Sequence, residues 1–187
     1  MSPTTTASEG AGAPIGDAPA LTLARWTVSS GSNIQSRGAV VLISGDSQWE
    51  ASAEGNGPID ALYNAVDRAL AEVLDGRPRL IAYDLHALSE GTDAEAEVRV
   101  KVSPPEAAAG RRAIGRYIGV ARSTNIVAAS IEAYCAALDQ LLAEAHWAEA
   151  AEAAGNRKRA RSAAAAKARR AELDESLAEE PITWFDR

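Results

Sequence analysis

The order of local patterns in this chain repeats, and the repeat constrains the fold more than any other feature. Segment 54–70 aligns with segment 122–138 at an offset of 68 residues, which matches three alanines and pairs Leu70 with Leu138. Alanine matches carry little weight in an alanine-rich chain. The shared order carries more, because three strand-like segments precede one helix-like segment in each half. We therefore predict an α+β fold of two βββα units, related by internal pseudo-symmetry, with sheets and helices packed together.

The individual elements follow from periodicity. Strict alternation of apolar and polar residues, typical of half-buried strands, is clearest at 49–54 and 94–103. Apolar residues spaced by three and four positions predict helices from Ile59 to Val73 and from Val127 to Ala145. The complete prediction has strands at 21–28, 39–43, 49–54, 81–87, 94–103 and 114–120, and it treats 31–37 as a turn or loop.

Changes in composition divide the chain into three parts. Residues 1–18 are small and polar without periodicity, which predicts a disordered leader. The two units are predicted at 19–76 and 79–147, forming one domain over 19–147. Residues 148–187 form an Ala/Arg-rich tail, helical or disordered, that closes with an aromatic segment. Seven basic residues and no acid occur within 157–170 of that tail.

Composition excludes several classes of protein. The formal net charge of −7 gives no general case for nucleic-acid binding, and residues 148–170 of the tail lack the aromatic residues that stack on bases. One cysteine cannot form an internal disulfide framework, which fits a reducing compartment. No apolar run approaches the ~20 residues that span a bilayer. We therefore predict a soluble, cytoplasmic protein without a membrane partner and with nucleic acid an unlikely partner.

No catalytic or metal-binding constellation can be assembled from the residues. His86 lies mid-strand without a second histidine or cysteine at ligand spacing, and His146 lies on a helix face. Cys135 is beside the apolar face of the second helix, which favours a small core residue over a nucleophile. No phosphate-binding loop or dinucleotide fingerprint is present. We predict no catalytic residues, no metal and no cofactor.

The two strand-to-helix junctions are the candidate binding features. Gly55 and Gly57 flank a turn that places Pro58 at the start of the first helix. Three residues that favour helix N-caps, 123–125, precede the second helix. A helix start offers free N–H groups that suit a carboxylate or phosphate. The small and apolar residues nearby favour a small aliphatic amino acid over a sugar or nucleotide.

Three motifs resemble those of one known family. They are Gly55-Asn56-Gly57-Pro58-Ile59-Asp60-Ala61, then Asp84-x-His86-Ala87-x-x-x-Gly91-Thr92-Asp93-Ala94, then Asn125-Ile126-Val127-x-Ala129-Ser130. In this order they resemble the C-terminal regulatory domain of 2-isopropylmalate synthase, and citramalate synthase has a similar domain. The resemblance spans about 21–142. It implies a pair of βββα units that dimerises and binds an end-product amino acid, leucine or isoleucine, at the dimer interface.

The resemblance also implies a set of effector-binding residues. The carboxylate of the effector would face main-chain N–H groups near Asn125 and Ile126, and its ammonium would face carbonyls near Thr124 and Ala94. The junction Gly55, Asn56, Gly57 and Pro58 would form a wall of the pocket. The effector side chain would meet Ile59, Leu80, Tyr83, Ala87, Ala94 and Ile126.

Three hypotheses about function remain open from the sequence. The first is a regulatory module, without the catalytic barrel and its metal site, that dimerises and binds leucine or a related branched-chain amino acid. The second is the non-catalytic subunit of a split 2-isopropylmalate synthase in leucine biosynthesis. The third is a dimerising scaffold whose effector pocket has decayed. Residue names alone do not choose between leucine and isoleucine, because one methyl position is worth only ~1–3 kcal/mol.

Overall fold

A computed structural model describes residues 19–74, 76–105, 115–144, 153–157, 159–167 and 169. The predicted leader, His146 and the terminal aromatic segment lie outside these residues. Most of the predicted loop at 104–110 and the start of the predicted strand at 114 also lie outside them.

The described chain consists of two βββα units, as predicted. Each unit has a three-stranded antiparallel sheet, ordered β1-β2-β3 in the first (sheet A) and β4-β5-β6 in the second (sheet B). A long helix follows each sheet. The elements are β1 Thr22–Gly31, β2 Ile34–Ser44, β3 Ser47–Gly55, α1 Pro58–Ala69, α2 Ala71–Leu74, β4 Arg79–Ala87, β5 Ala96–Ser103, β6 Tyr117–Ser123 and α3 Ile126–Leu142.

The offset seen in the sequence recurs at the junctions of the structure. Strands β3 and β6 end at Gly55 and Ser123, and helices α1 and α3 begin at Pro58 and Ile126. Both pairs of positions are 68 residues apart. The repeat in sequence is therefore a repeat of strand end, junction and helix start.

Several predicted strand boundaries were wrong: β1 runs to Gly31, three residues beyond its predicted end, and β5 begins at Ala96, two residues after its predicted start. Part of the segment 31–37, predicted as a loop, belongs to β2, which begins at Ile34 and pairs with β1 through Gly31. The polar residues there hid the strand, although Ser36 is buried and its hydroxyl is hydrogen bonded to that of Ser30 at 2.8 Å. The third strand of the second unit runs to Ser123, three residues beyond its predicted end.

Both helices pack closely against glycines of the sheets. A Cβ at Gly38 would lie 2.9 Å from the backbone of Ala61 on α1, and a Cβ at Gly119 would overlap the carbonyl oxygen of Ala133 on α3. Because real Cβ contacts are longer than this, the helices reach these distances only over a residue without a side chain. The buried core lies in this layer between helices and sheets.

A polar cluster joins the two units where α1 contacts α3. The rings of Tyr63 and Tyr134 stack with centroids 4.1 Å apart. Tyr134 donates a hydrogen bond of 2.6 Å to Oδ1 of Asp67, and Tyr63 donates one of 3.1 Å to the carbonyl of Ser130. Burial raises the pKa of both tyrosines, so both hydroxyls stay protonated and keep donating.

Part of the tail is helical and packs against the first unit. Residues 153–157 and 159–167 are helical, and Ala154 is 1% exposed within the core. Arg161 forms an ion pair of 3.0 Å with Glu72, and Arg157 approaches the Glu72 carbonyl. The sequence left helix and disorder open for this segment, and burial of Ala154 explains why the described part is ordered as helix. Within the described part of the chain, no helix has the length and apolar character needed to cross a membrane.

Candidate effector site

Most of the predicted effector residues converge at one end of sheet B. Ala87 pairs with Ala96 across β4 and β5, and Ala96 pairs with Ser123 across β5 and β6. From Ser123 the chain continues directly through Thr124 and Asn125 into α3. Ala94 lies two residues before Ala96 at the same end. Tertiary structure therefore brings together residues up to 38 positions apart in sequence, from Ala87 to Asn125.

Tyr83 is fixed to the first turn of α3 by a chain of hydrogen bonds. The Ser130 hydroxyl donates to the Ile126 carbonyl at 2.5 Å, and the Tyr83 hydroxyl lies 2.8 Å from the same serine oxygen. Since serine has one O–H to donate, Tyr83 is the donor in the second bond. The hydroxyl of Tyr83 is thereby fixed at the first turn of α3, which begins at Ile126, a residue that is 47% exposed. The sequence did not identify Ser130 as part of this site, although its position one turn after Ile126 was a usable signal.

At the second junction, the N-cap residue Asn125 already forms hydrogen bonds with N–H groups of its own helix. Asn125 accepts hydrogen bonds from the N–H groups of Val127 and Ala128 at 3.0 and 3.3 Å, and its own N–H donates to Ser123 Oγ at 3.0 Å. Among the described residues, the Ile126 N–H has no such partner. A carboxylate bound here would therefore use the Ile126 N–H first, and further N–H groups would become available only if the Asn125 side chain moved.

The first junction differs in its chemistry. Gly57 caps α1 in an extended conformation without a side-chain hydrogen bond, and the Asn56 N–H donates to the Asp60 carboxylate at 2.8 Å. A Cβ at Gly55 would overlap the backbone nitrogen of Ala61. The close packing explains the glycine at 55. A carboxylate already bound at this turn disfavours an anionic ligand, so the geometry suits a wall and not an anion site.

Ile59 and Leu80 are the two predicted effector residues that do not belong to this end of sheet B. Ile59 is on the first turn of α1, in the first unit, and packs partly buried against the core. Leu80 pairs with Val102 near the start of β4, whereas Ala87 ends that strand. Seven residues of strand separate Leu80 from Ala87, which is about 23 Å at ~3.3 Å per residue. Leu80 therefore lies at the opposite end of β4 from Ala87, with Tyr83 between them.

The convergent site opens onto an uncovered apolar surface. Tyr83, Leu85 and Ala87 share the face of sheet B that α3 covers over β5 and β6, as their pairing with the buried Val100, Val98 and Ala96 shows. Leu85 is nevertheless 40% exposed, and Leu88 beyond the strand end is 47% exposed. The sequence did not identify Leu85 and Leu88 as part of this surface. Alternation shows on which face of β4 Leu85 lies, but it does not show whether another element covers that face.

The residues interpreted as non-catalytic lie in unremarkable places. Cys135 is buried in α3, and burial raises the pKa of its thiol to about 12. His86 is exposed on β4 and pairs with Glu97 on the neighbouring strand. Within the described ranges, no group of three or more His, Cys, Asp or Glu side chains is arranged to hold a metal ion.

Comparison with known proteins identifies the domain that these units form. Residues 8–142 match the model of the LeuA allosteric (dimerisation) domain. A 2-isopropylmalate synthase of Salinibacter ruber is 36% identical over 138 residues, which cover 73% of this chain and 23% of that protein. A putative (R)-citramalate synthase, CimA, of Methanoculleus marisnigri is 34% identical, over 68% of this chain and 24% of the relative.

A third relative shows the same proportion. The 2-isopropylmalate synthase of Aquifex aeolicus is 35% identical over 63% of this chain and 20% of its own length. The chain thus spans about a quarter of the length of the curated relatives that it matches.

Proposed function

The chain belongs to the LeuA allosteric (dimerisation) domain family, and from this membership we propose that it is a non-catalytic regulatory module for leucine or a related branched-chain amino acid. In this proposal the effector binds at the end of sheet B, beside Tyr83 and the first turn of α3. The module acts in the cytoplasm, within branched-chain amino-acid biosynthesis.

The observation that carries the proposal is the hydrogen-bonded attachment of Tyr83 to the first turn of α3. Two hydrogen bonds through Ser130 hold the ring, so the apolar wall is formed before a ligand arrives. Preorganised walls lower the entropy cost of binding. The Ile126 N–H supports a role in binding a carboxylate, and the small side chains of Ala87 and Ala94 leave room for an aliphatic group.

A second copy of the chain completes the site in this proposal. The family description includes dimerisation, and the exposed apolar side chains of Leu85, Leu88 and Ile126 form a surface that another protein surface would cover. Leu80 lies at the opposite end of β4 from Ala87, so in this proposal its contact with an effector beside Ala87 comes from the partner copy. The assignment of Leu80 to the site therefore depends on the dimer.

Isothermal titration of the purified chain with leucine, isoleucine and valine tests the proposal. We expect saturable binding of at least one of them, and we expect Ile126→Ala to weaken it. Ile118→Ala is the matched control, since Ile118 is a comparably exposed isoleucine on the opposite face of sheet B. Absence of heat with all three amino acids would overturn effector binding, and a persistent dimer would then favour the scaffold hypothesis.

We also propose that the module acts on a separate catalytic chain of the 2-isopropylmalate synthase class. This is supported by the names of the relatives, which are 2-isopropylmalate synthases. Affinity purification from the native cell tests it. A synthase that co-purifies in fixed proportion supports the proposal, and recovery of the homodimer alone contradicts it.

A further inference from the structure

A polar cleft lies beside α1, away from the proposed effector site. Its volume is about 610 Å³, which falls within the range of ~300–1,000 Å³ that is usual for small-molecule sites. None of the residues assigned to the effector site lines it. Its lining comes from β2, β3, α1 and the connection from α2 to β4, and the charged and amide side chains among it are Arg37, Glu54, Asn64, Asp67, Arg68 and Arg77.

Three of these residues already bind one another, namely Arg37, Glu54 and Asn64. Arg37 forms an ion pair of 2.6 Å with Glu54, which neutralises both charges. The Asn64 amide donates a hydrogen bond of 3.0 Å to the Glu54 carbonyl on the open edge of β3. Their arrangement fixes one wall of the cleft.

Arg68 and Arg77 retain unused binding capacity. Arg68 donates to the Ser52 carbonyl at 3.2 Å, and Arg77 donates to Asn64 Oδ1 at 3.2 Å, so each guanidinium has a neutral partner that holds it in place. Among the described residues, no carboxylate oxygen lies within the 4.0 Å ion-pair distance of either one. A guanidinium has five N–H donors, and its planar fork matches a carboxylate.

Asp67 contributes the opposite charge to the lining of the cleft. One of its oxygens accepts the Tyr134 hydrogen bond, and the residue as a whole is buried. The two guanidinium charges outnumber this one carboxylate, with which Arg77 already interacts electrostatically at longer range. A ligand that satisfies the site carries a negative group for the arginines and a hydrogen-bond donor for Asp67.

We propose that this cleft binds a small polar carboxylate that also carries a donor, a hydroxyl or an ammonium, on a carbon next to the carboxylate. The carboxylate contacts Arg68 and Arg77, and the donor faces Asp67. The polar lining of the cleft distinguishes this ligand from the aliphatic effector proposed for the end of sheet B. The cleft gives the module a second ligand-binding site. This proposal does not depend on the function proposed for the effector site.

Titration calorimetry with malate, aspartate, succinate and inorganic phosphate tests the assignment. We expect malate or aspartate to bind more tightly than succinate, which lacks the donor, and more tightly than phosphate. Arg68→Gln and Arg77→Gln should each weaken binding by about tenfold or more, as loss of a charge-assisted contact does. Both residues are exposed, so the folded state tolerates the change, which circular dichroism verifies.

Arg25→Gln is the matched control, because Arg25 is an exposed arginine on β1, at the opposite edge of sheet A. An equal loss of affinity in this variant would show general charge attraction and overturn the site. Absence of saturable binding, or tightest binding by phosphate, would also overturn it. Titration of leucine into the Arg77→Gln variant separates the two proposals, because this substitution should not change leucine binding at the end of sheet B.

Discussion

The Tyr134 hydroxyl donates a hydrogen bond of 2.6 Å to Asp67, and this bond ties the helix of the second unit to the helix of the first. Both groups are buried, so the bond replaces water for each of them. Asp67 at the same time belongs to the lining of the polar cleft. The joint between the two units and the proposed second site therefore share one carboxylate.

Asp67→Asn should raise the stability of the fold relative to wild type as the pH rises above 4. Burial raises the pKa of Asp67 above its ordinary value of 3.8, and the Tyr134 hydrogen bond only partly opposes this. Between the unfolded and the folded pKa the native state binds more protons, so stability falls with increasing pH. Asparagine still accepts from Tyr134 but does not ionise. Urea denaturation at several pH values would measure the difference, and parallel profiles for both proteins would contradict the prediction.

Tyr134→Phe should destabilise the protein by about 1–3 kcal/mol, because it leaves a buried carboxylate oxygen without its donor. The ring stacking on Tyr63 is retained in this variant, so the loss reports the hydroxyl alone. Chemical denaturation provides the measurement. A change within about 0.5 kcal/mol, typical of surface substitutions, would show that the bond does not join the units.

Cys135 should be inert towards thiol reagents in the native protein. The side chain is 3% exposed, and burial raises the pKa of the thiol to about 12, so the reactive thiolate is scarce at pH 8. Ellman's reagent should react fully only after unfolding in urea. Rapid stoichiometric reaction of the folded chain would contradict the burial of α3 against the core.

Gly119→Ala should cost about 1–3 kcal/mol or more, since the added methyl group must displace α3 at Ala133. Gly57→Ala is the control. A Cβ at Gly57 meets nothing within 4 Å, and its backbone is extended, so only the weaker N-cap preference of alanine acts there, worth ~1 kcal/mol or less. Thermal denaturation of both variants checks the contrast, and equal losses would contradict it.

Ala154→Asp should release the described part of the tail helix from the first unit, because it places a charge in the core without a partner. Glu72→Gln removes only an exposed ion pair with Arg161 and should change stability by ~0–1 kcal/mol. Limited proteolysis with mass spectrometry would locate cleavage after each substitution. Equal protection of residues 153–167 in both variants would contradict the importance of Ala154.

The sequence predicted the architecture because strand and helix patterns are local. Alternation at 94–103 and the spacing of three and four residues after Ile126 reflect which face of each element is buried, and the 68-residue offset repeated both. The motif resemblance led to the family that the comparisons confirm. The prediction of secondary structure failed at 34–37, where polar residues form a paired strand. Strand pairing with β1 outweighs the local preference of these residues.

The sequence by itself therefore determined the two βββα units, the two helix junctions and the family. Only the tertiary structure decided that Ser130 ties Tyr83 to the first turn of α3, that Asn125 occupies N–H groups of its own helix, and that Leu80 lies at the far end of β4 from Ala87. It also decided that Arg68, Arg77 and Asp67 line one cleft. The reason is physical: periodicity records whether a side chain faces inward, whereas the partner that it meets depends on the packing of segments far apart in the chain.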